Sequence, residues 1–334
     1  MSALNTAPES SGWIPSPLNY TGGKYRLLSQ ILPRFPRQID TLVDLFCGGG
    51  NVGINVPCRQ AILNDQDARL IGMFRFFQQE GAVSLLAQVE EVIRAYGLSR
   101  SDQNGYAYYG CDSGRGLAEY NREPFLRLRE DFNRLRPDDS EYALKLYVLI
   151  VYAFNNQMRF NAEGAFNLPV GKRDFNRPMQ DKLRRFADRL QTGCFGLEHQ
   201  DFRQFDLSRL GPNDFLYLDP PYLITCATYN EKNGWNAEKE RDLLAFLDEA
   251  DARGIRFALS NVLRSGGQTN RILLEWAEQR QATIRVRHLS YSYANASYHK
   301  KNRSHSSDEV LITNYRLPAG RPSIRQPVAE EENP

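Results

Sequence analysis

The chain has 334 residues, 41% of them hydrophobic and 25% charged, an ordinary globular composition that allows one large domain or two. No apolar run approaches the roughly 18 residues that a membrane-spanning helix needs, and the first residues show no basic-then-apolar signal pattern. Five scattered cysteines without a CxxC pair favour a reduced, cytoplasmic compartment.

The net charge of +2 does not by itself indicate a nucleic-acid partner, but the charge is unevenly distributed. Lys and Arg outnumber Asp and Glu between residues 115 and 190, and a second basic run, Tyr298-His299-Lys300-Lys301-Asn302-Arg303-Ser304-His305, follows later. A polyanion would contact local patches of this kind. Solvated surface charge explains them equally well at this point.

Residues 1–16 are small, polar and proline-containing, which is typical of a mobile tail. The turn Gly22-Gly23-Lys24 then opens a helical stretch at residues 25–32. Its backbone N–H groups and its cation could seat a carboxylate or a phosphate. The spacing of a P-loop is missing, so the turn is not one.

A strand that begins at Thr41 runs into the glycine-rich turn Cys47-Gly48-Gly49-Gly50-Asn51-Val52-Gly53, a layout typical of a nucleotide-type site. A second strand, from Ala61, ends at Asn64-Asp65, where an acidic residue can hold the two hydroxyls of a ribose. The turn also matches GxGxxG, so this element alone leaves NAD binding open.

Helical spacing covers residues 67–96, and its aromatic residues are expected in the core. Residues 99–116, rich in Ser, Asp, Gly and Tyr, are predicted to form a loop. Helices with a basic polar face are predicted at 121–136 and 140–154, and another basic helix at about 178–190.

The segment 155–173 interrupts this helical pattern with amides, Arg and Lys that alternate with aromatics in a glycine-rich loop or hairpin. Arg and Asn side chains can bond the edges of guanine and adenine in pairs of hydrogen bonds. A plain polar surface loop would have the same composition.

Beyond this insert the alternation of strands and helices resumes, with strands predicted at 193–199, 215–218 and 255–260 and helices at 237–252 and 268–280. A final antiparallel pair is predicted at 283–291 and 309–315, and residues 318–334 are expected to be disordered. This order predicts a doubly wound α/β domain interrupted by a second, helical module. Four histidines without ligand spacing indicate no metal site.

The apolar run Phe215-Leu216-Tyr217-Leu218 leads directly into Asp219-Pro220-Pro221-Tyr222. In an open α/β sheet, ligands bind at the carboxyl end of such a strand. There Asp219 and the Pro220 carbonyl could accept the two N–H bonds of a planar amine such as that of adenine, while Tyr222 stacks on its ring. A proline turn with an ordinary strand-end acid remains the plainer alternative.

In this order, these motifs resemble those of the DNA N6-adenine methyltransferases of the Dam-like and restriction-modification type. The resemblance rests on Tyr20–Lys24, Asp44–Gly50, Asn64-Asp65, the segment Arg159–Lys172 and Asp219–Tyr222. It implies a Rossmann-like sheet that binds S-adenosylmethionine, formed by residues 17–75 and 191–317, and a mostly helical target-recognition insert at 76–190.

The resemblance also implies roles for individual residues. Tyr20, Lys24 and Asp44 would line the donor site, Phe46, Gly48 and Gly50 would approach the methionine part of the donor, and Asp65 would bind its ribose. Asp201 and Phe202 would flank the adenine of the donor, and Asp219, Pro220, Pro221 and Tyr222 would hold the target base. The residues expected to contact DNA are Asn156, Gln157, Arg159, Asn161, Pro169, Lys172, Arg173, Lys300, Lys301 and Arg303.

One position departs from the GATC-methylating relatives, in which an apolar side chain two residues before the recognition arginine wedges into the duplex. Here that residue is Gln157, so Arg159 is expected to read a base but the target GATC is not carried over. We expect double-stranded DNA as partner, a monomer in the prokaryotic cytosol or nucleoid, and a cognate endonuclease that acts separately where one exists.

Four other functions compete with this one. A methyltransferase for RNA adenine would share the amine clamp, as we call Asp219-Pro220-Pro221-Tyr222. Protein glutamine enzymes prefer Asn at the position of Asp219 and lack the large insert. A catalytically silent DNA-binding protein need not keep an amine clamp. An NAD enzyme would need an acid/base constellation that the sequence does not show.

Overall fold

The structure, a computed structural model, describes residues 12–20, 22–224, 234–290 and 307–316. Its centre is a mixed sheet with the strand order β3-β2-β1-β4-β5-β8-β7, and a short strand β6 pairs with β5 beside this path. The strands are β1 (Thr41–Asp44), β2 (Gln60–Asn64), β3 (Phe195–Glu198), β4 (Phe215–Leu218), β5 (Arg256–Ser265), β6 (Gln268–Thr269), β7 (Arg285–His288) and β8 (Asp308–Thr313).

The first five strands are parallel, and β8 runs antiparallel between β5 and β7. This mostly parallel sheet confirms the predicted α/β, Rossmann-like fold class and the antiparallel pair at its end. In such a sheet the carboxyl ends of the parallel strands lie along one edge, where ligands bind.

The helices are α1 (Leu28–Ile31), α2 (Ala68–Tyr96), α3 (Ser101–Tyr108), α4 (Ala118–Phe132), α5 (Tyr142–Tyr152), α6 (Arg177–Thr192), α7 (Ala237–Ala252) and α8 (Arg271–Gln279). The predicted loop at residues 99–116 was wrong in its first half, where α3 lies. This helix buries no side chain and is broken at Gly105, which has a φ of 74°. An apolar periodicity could therefore not reveal it.

Two apolar clusters cover the two faces of the sheet. Successive residues of a strand point to opposite faces, so Phe215 and Tyr217 join the cluster beneath α2 and α6, whereas Leu216 and Leu218 join the cluster beneath α7 and α8. Phe35 stacks on both Phe215 and Tyr217. The strand that carries Asp219 is consequently fixed from both sides.

Helices α2, α4, α5 and α6 pack together on one side of the sheet, and their apolar side chains are continuous with its core. Helix α2 is interrupted at Gly81, whose φ of 70° is left-handed. Helix α5 is buried over most of its length, and it delivers the chain into the segment 153–173. The insert is thus anchored on the core of the sheet.

Asn64 ties together the carboxyl ends of three strands. Its side-chain amide donates to the carbonyls of Leu45 (2.9 Å) and Gln200 (3.1 Å), and its Oδ1 accepts from the Gln200 amide (3.2 Å). These bonds connect the ends of β1, β2 and β3. Because Asn64 is buried, the three strand ends are held in a fixed relation.

The segment before Tyr20 docks on the glycine-rich turn. The amides of Ile14 and Ser16 donate to the Oδ1 atoms of Asn55 and Asn51, at 2.8 and 2.9 Å. Ile14 and Ser16 are buried, so the packed chain begins inside the stretch expected as a tail. Residues 1–11 and 317–334 lie outside the described residues.

Within the described ranges, the helices are all too short or too polar to cross a bilayer.

Candidate active site

Asp219 follows β4 directly at the carboxyl edge of the sheet, with its side chain only 17% exposed. Its Oδ1 accepts a hydrogen bond from the Tyr222 hydroxyl at 3.0 Å and lies 2.9 Å from the Lys24 ammonium. Burial raises the pKa of Asp219, while the Lys24 ammonium and the Tyr222 hydroxyl lower it. Pro220 is buried and Pro221 exposed, so the turn is stiff at its base.

Lys24 comes from the Gly22-Gly23-Lys24 turn, which packs across the end of β4. Its ammonium also donates to the Gly22 carbonyl at 3.0 Å and lies 4.9 Å from the centre of the Tyr222 ring. Only 5% of the side chain is exposed. The anion seat predicted for this turn is therefore taken by a carboxylate of the chain itself, a pairing that was not foreseen.

The glycine-rich turn between β1 and β2 is shaped for close approach. Gly48 and Gly50 have φ values of 46° and 76°, and a Cβ on Gly48 would lie 2.8 Å from the Tyr20 ring. Asp65 supports the turn from below, since its Oδ2 accepts from the Gly48 amide and its Oδ1 from the Asp67 amide, both at 3.0 Å. The structure thus brings Tyr20, Gly48 and Asp65 together.

Asp44 ends β1 and is buried beneath this turn. Its Oδ2 accepts from the Gly53 amide at 2.9 Å, whereas Oδ1 has no hydrogen-bond partner within the part of the chain that the structure describes. Burial raises the pKa of Asp44 to about 8, against the pull of the Gly53 amide, and the nearby Asp219 and Asp65 raise it further.

Phe46 and Phe202 meet at 5.4 Å between ring centres, so the structure joins residues from the ends of β1 and β3. Trp235 completes the cluster at 5.7 Å from each of them, and its indole N–H donates to Glu240. Trp235 was not singled out in the sequence. Asp201 already accepts hydrogen bonds from two nitrogens of the Arg203 guanidinium, Nε and Nη2, each at 2.9 Å.

A cavity of about 630 Å³ lies above the clamp. Tyr20, Lys24, Tyr222 and Gln157 line it, so residues of the sheet edge and of the insert share one space. Three further charged residues line the cavity without having been predicted from the sequence: Arg26, Lys182 on α6 and Glu309 on β8. A volume of this size is typical of a small-molecule or single-base pocket.

The segment 153–173 forms an irregular hairpin. Phe160 bridges Phe166, the Ala165 amide donates to Asn161 Oδ1 at 2.8 Å, and the Arg159 Nε donates to Asn167 Oδ1 at 2.9 Å. Arg159 and Asn161 are nevertheless exposed at the surface. Their side chains are therefore oriented before any partner arrives, which lowers the entropy lost on binding.

Phe154 is the residue of this hairpin that sequence analysis missed. It is 51% exposed, and the next two residues, Asn155 and Asn156, have left-handed φ values of 56° and 52°. Such values are uncommon outside glycine and mark a constrained turn. The Asn155 carbonyl accepts from the Asn19 side chain at 2.7 Å, which ties the turn to the rim of the cavity.

Pro169, Lys172 and Arg173, at the far end of the hairpin, are also exposed. Asp174, which follows them, is buried and accepts from the Ser101 amide at 2.6 Å and from the hydroxyls of Ser99 and Ser101. This network fixes the backbone that presents Lys172 and Arg173. The predicted residues Lys300, Lys301 and Arg303 lie outside the described residues.

Comparison with known proteins agrees with this geometry. Residues 20–305 match the sequence profile of the D12 class N6 adenine-specific DNA methyltransferases. The chain belongs to this family. The match begins at Tyr20 and includes the glycine-rich turn, the whole insert and Asp219–Tyr222, so the resemblance inferred from those motifs is confirmed. Members of a methyltransferase family use a methyl donor.

Among its relatives, the modification methylase StsI of Streptococcus sanguinis is 43% identical over 309 residues, which cover 91% of this chain and 43% of the relative. The type II methyltransferase M.FokI of Planomicrobium okeanokoites is 38% identical over 313 residues, covering 92% and 44%. The chain therefore spans less than half the length of these two relatives.

A DNA adenine methylase from Escherichia coli K12 is 27% identical over 252 residues, covering 73% of this chain and 79% of the relative. The restriction-modification relatives are thus more similar in sequence than this DNA adenine methylase is. Gln157 likewise departs from the GATC-methylating relatives.

The buried carboxyl of Asp44 generates a prediction about the pH dependence of stability. Its pKa is about 8 in the folded chain against an ordinary value of 3.8. As the pH rises between these values, the unfolded state loses this proton while the folded state keeps it, so the contribution of Asp44 to stability falls.

We expect Asp44→Asn to remove this loss. The free energy of unfolding of the variant should gain on wild type as the pH rises from 5 to 8, by on the order of 1 kcal/mol per pH unit at most. Urea unfolding at several pH values measures the difference. Parallel curves for the two proteins would contradict the shifted pKa.

Proposed function

We propose that the chain transfers a methyl group from S-adenosylmethionine to the N6 amine of an adenine flipped out of double-stranded DNA. The observation that carries this proposal is the buried Asp219 carboxylate, which lies at the end of β4 beside Tyr222 and below a cavity shared with the insert. Family membership supports the same chemistry.

The glycine-rich turn fits S-adenosylmethionine. The positive φ values of Gly48 and Gly50 leave the backbone open to a ligand, and the partnerless Oδ1 of Asp44 offers an acceptor beneath it. Tyr20, Lys24, Phe46 and Asp65 would line the remainder of the site, with Phe202 near the adenine of the donor. The donor supplies an electrophilic methyl group on a sulfonium.

The clamp would act chiefly by positioning. The lone pair of the adenine amine is delocalised into the ring, so the amine is a poor nucleophile. Asp219 and the Pro220 carbonyl would accept its two N–H bonds and turn the lone pair toward the methyl group, while Tyr222 stacks on the base. Orientation of this kind can account for a large part of a rate enhancement.

Residues 76–190 would form the part that recognises DNA, and 17–75 with 191–317 the catalytic part. Gln157 lines the cavity, and we propose that it reads base edges together with Asn156, Arg159 and Asn161. Pro169, Lys172 and Arg173 would contact the backbone, which positions a protein on the duplex without reading its sequence. Lys300, Lys301 and Arg303 would add phosphate contacts.

The apolar side chain of Phe154 would enter the duplex as a wedge, a role that the polar side chain of Gln157 cannot take. Its exposed ring stands three residues before Gln157, on a turn fixed by Asn155 and Asn156. Apolar side chains inserted between base steps unstack them and lower the cost of distorting the duplex. A flipped base costs on the order of a few kcal/mol, part of which such a wedge and Tyr222 would recover.

We propose that the chain works as a monomer, since one active site can methylate one strand at a time. Any cognate restriction endonuclease would act as a separate protein. Similarity to the two modification methylases supports a restriction-modification setting over a GATC housekeeping one.

Loss of the clamp carboxylate should abolish methyl transfer. For Asp219→Ala we expect the single-turnover rate to fall by roughly a thousandfold or more, because positioning contributes factors of this order. Donor and DNA binding should be partly retained. Asp206→Ala, which removes an exposed acid outside the cavity, is the control. Normal turnover by the Asp219 variant would refute the mechanism.

Arg159 should set sequence preference. For Arg159→Ala we expect discrimination at one base pair to drop roughly 10- to 100-fold, the worth of a bidentate base contact. Single-molecule sequencing of plasmid DNA from expressing cells gives the pattern of methylated adenines. Arg134→Ala, another exposed arginine of the insert, should keep the wild-type pattern. An unchanged pattern and rate for the Arg159 variant would remove it from recognition.

Phe154 should affect flipping more than binding. With 2-aminopurine at the target position, we expect Phe154→Ala to give a markedly smaller fluorescence rise on complex formation, since the wedge that unstacks the neighbouring step is gone. Val83→Ala, which truncates an exposed apolar residue of α2, should behave as wild type. A fluorescence rise for Phe154→Ala as large as that of wild type and of Val83→Ala would contradict the role of Phe154 as a wedge.

A further inference from the structure

Glu309 is a carboxylate of the cavity to which no role has been given. It lies on β8 opposite Val262 of β5, and its backbone carbonyl accepts from the Leu289 amide at 2.8 Å. Its side chain lines the same cavity as Lys24 and Tyr222. Among the described residues its side-chain carboxylate has no hydrogen bond and no ion pair, although the residue is only partly exposed.

The neighbouring acid on the same strand behaves differently. Asp308 is paired with His288 at 2.6 Å, away from the residues that line the cavity. Successive side chains of a strand point to opposite faces. The Asp308 side chain therefore contacts His288 of β7, whereas the Glu309 side chain lines the cavity. Glu309 is thus the member of the pair that is available to a cation in the cavity.

The Lys24 ammonium and the Glu309 carboxylate line the cavity, and the Asp219 carboxylate is bound to that ammonium. Burial raises the pKa of Glu309, the Lys24 ammonium lowers it, and the Asp219 carboxylate raises it again. In the structure the ammonium is bound to Asp219. Glu309 is therefore within electrostatic reach of both members of the existing ion pair.

The target amine and Lys24 compete for the same carboxylate. The Oδ1 of Asp219 already accepts from Lys24 and from Tyr222. An adenine amine that binds this same oxygen must displace the ammonium. An ammonium that is 5% exposed cannot simply be left without a counter-ion, because an unpaired buried charge is costly.

The other acids near the clamp are already in use or out of the cavity. Asp65 accepts from two backbone amides, and Asp44 accepts from the Gly53 amide beneath the turn. Neither lines the cavity that contains Lys24. Glu309 is the acid with both an uncommitted carboxylate and access to that space, within the part of the chain that the structure describes.

We propose that Glu309 is a positioning residue that receives the Lys24 ammonium when the target adenine occupies Asp219. This inference rests on the proposed function, since it assumes that an adenine amine is the group that displaces Lys24. Lys24 would hold the clamp closed in the absence of DNA and would move to Glu309 as the base arrives. The charge of the cavity stays the same in both states.

A double-mutant cycle on base binding tests the proposal. Equilibrium affinity is measured by fluorescence anisotropy for two duplexes with the recognition sequence, one with adenine and one with purine, which lacks the 6-amino group, at the target position. The ratio of the two affinities measures what the 6-amino group contributes to binding at the clamp. The ratio is obtained for wild type, Glu309→Gln, Lys24→Gln and the double variant.

We expect Glu309→Gln to lower the preference for adenine by roughly fivefold or more when Lys24 is present, and by less than about twofold when Lys24 is replaced, since coupled residues are not additive. Glu309→Asp should restore part of the preference, and Asp308→Asn should leave it unchanged. The affinity for the purine duplex checks that each variant is folded.

An equal loss of preference in both Lys24 backgrounds would overturn the inference, as would no loss in either. Failure of the proposed function is seen separately, because wild type would then form no N6-methyladenine in DNA. If Glu309→Gln does not fold, the same cycle with Glu309→Asp decides, with a smaller loss that must again vanish without Lys24.

Discussion

A carboxylate that grips a neutral amine must be shielded from water, and it then needs a counter-ion whenever the amine is absent. Asp219 meets both conditions, since it is largely buried and bound to the Lys24 ammonium. The rest of the active site follows from this pair. The Gly22-Gly23-Lys24 turn packs across the end of β4, and the Tyr222 hydroxyl donates to the same Asp219 oxygen that binds Lys24. Glu309 lines the cavity next to this pair.

The edge of the sheet gives the pair a rigid frame. Asn64 holds the ends of β1, β2 and β3 together, and Asp65 and Asp44 support the glycine-rich turn through backbone amides. On the other side of the cavity, α5 leads from the core into the hairpin with Phe154 and Arg159. The buried Asp174 network anchors the end of that hairpin. The proposed donor site, clamp and recognition surface are therefore parts of one packed unit.

Much of the fold could be predicted because its signals are local. The apolar runs of β1 and β4, the glycines between β1 and β2 and the helical spacing of α2 are visible in short windows. Helix α3 was missed because it has no buried face. The site residues were proposed from motifs, and the structure brings Tyr20, Lys24, Gly48, Asp65, Asp219 and Tyr222 to one edge of the sheet, while their individual roles stay predictions.

The contacts that sequence analysis missed join residues far apart in the chain. Lys24 and Asp219 belong to different motifs, and nothing in either motif shows that they form an ion pair. Glu309 has the pattern of an ordinary strand acid, and Phe154 that of the last apolar residue of a buried helix. Their exposure and partners depend on tertiary packing, which a short window of sequence does not contain.

The central claim is that Asp219 positions the exocyclic amine of an adenine in duplex DNA for methyl transfer from S-adenosylmethionine. Its most direct test is mass spectrometry after incubation of duplex DNA, RNA or protein with the purified chain and S-adenosylmethionine. The nucleic acids are digested to nucleosides and the protein to peptides. The account predicts N6-methyl-2′-deoxyadenosine from duplex DNA as the methylated product. Methylation of cytosine, of RNA or of glutamine instead, or no methylated product, would contradict it.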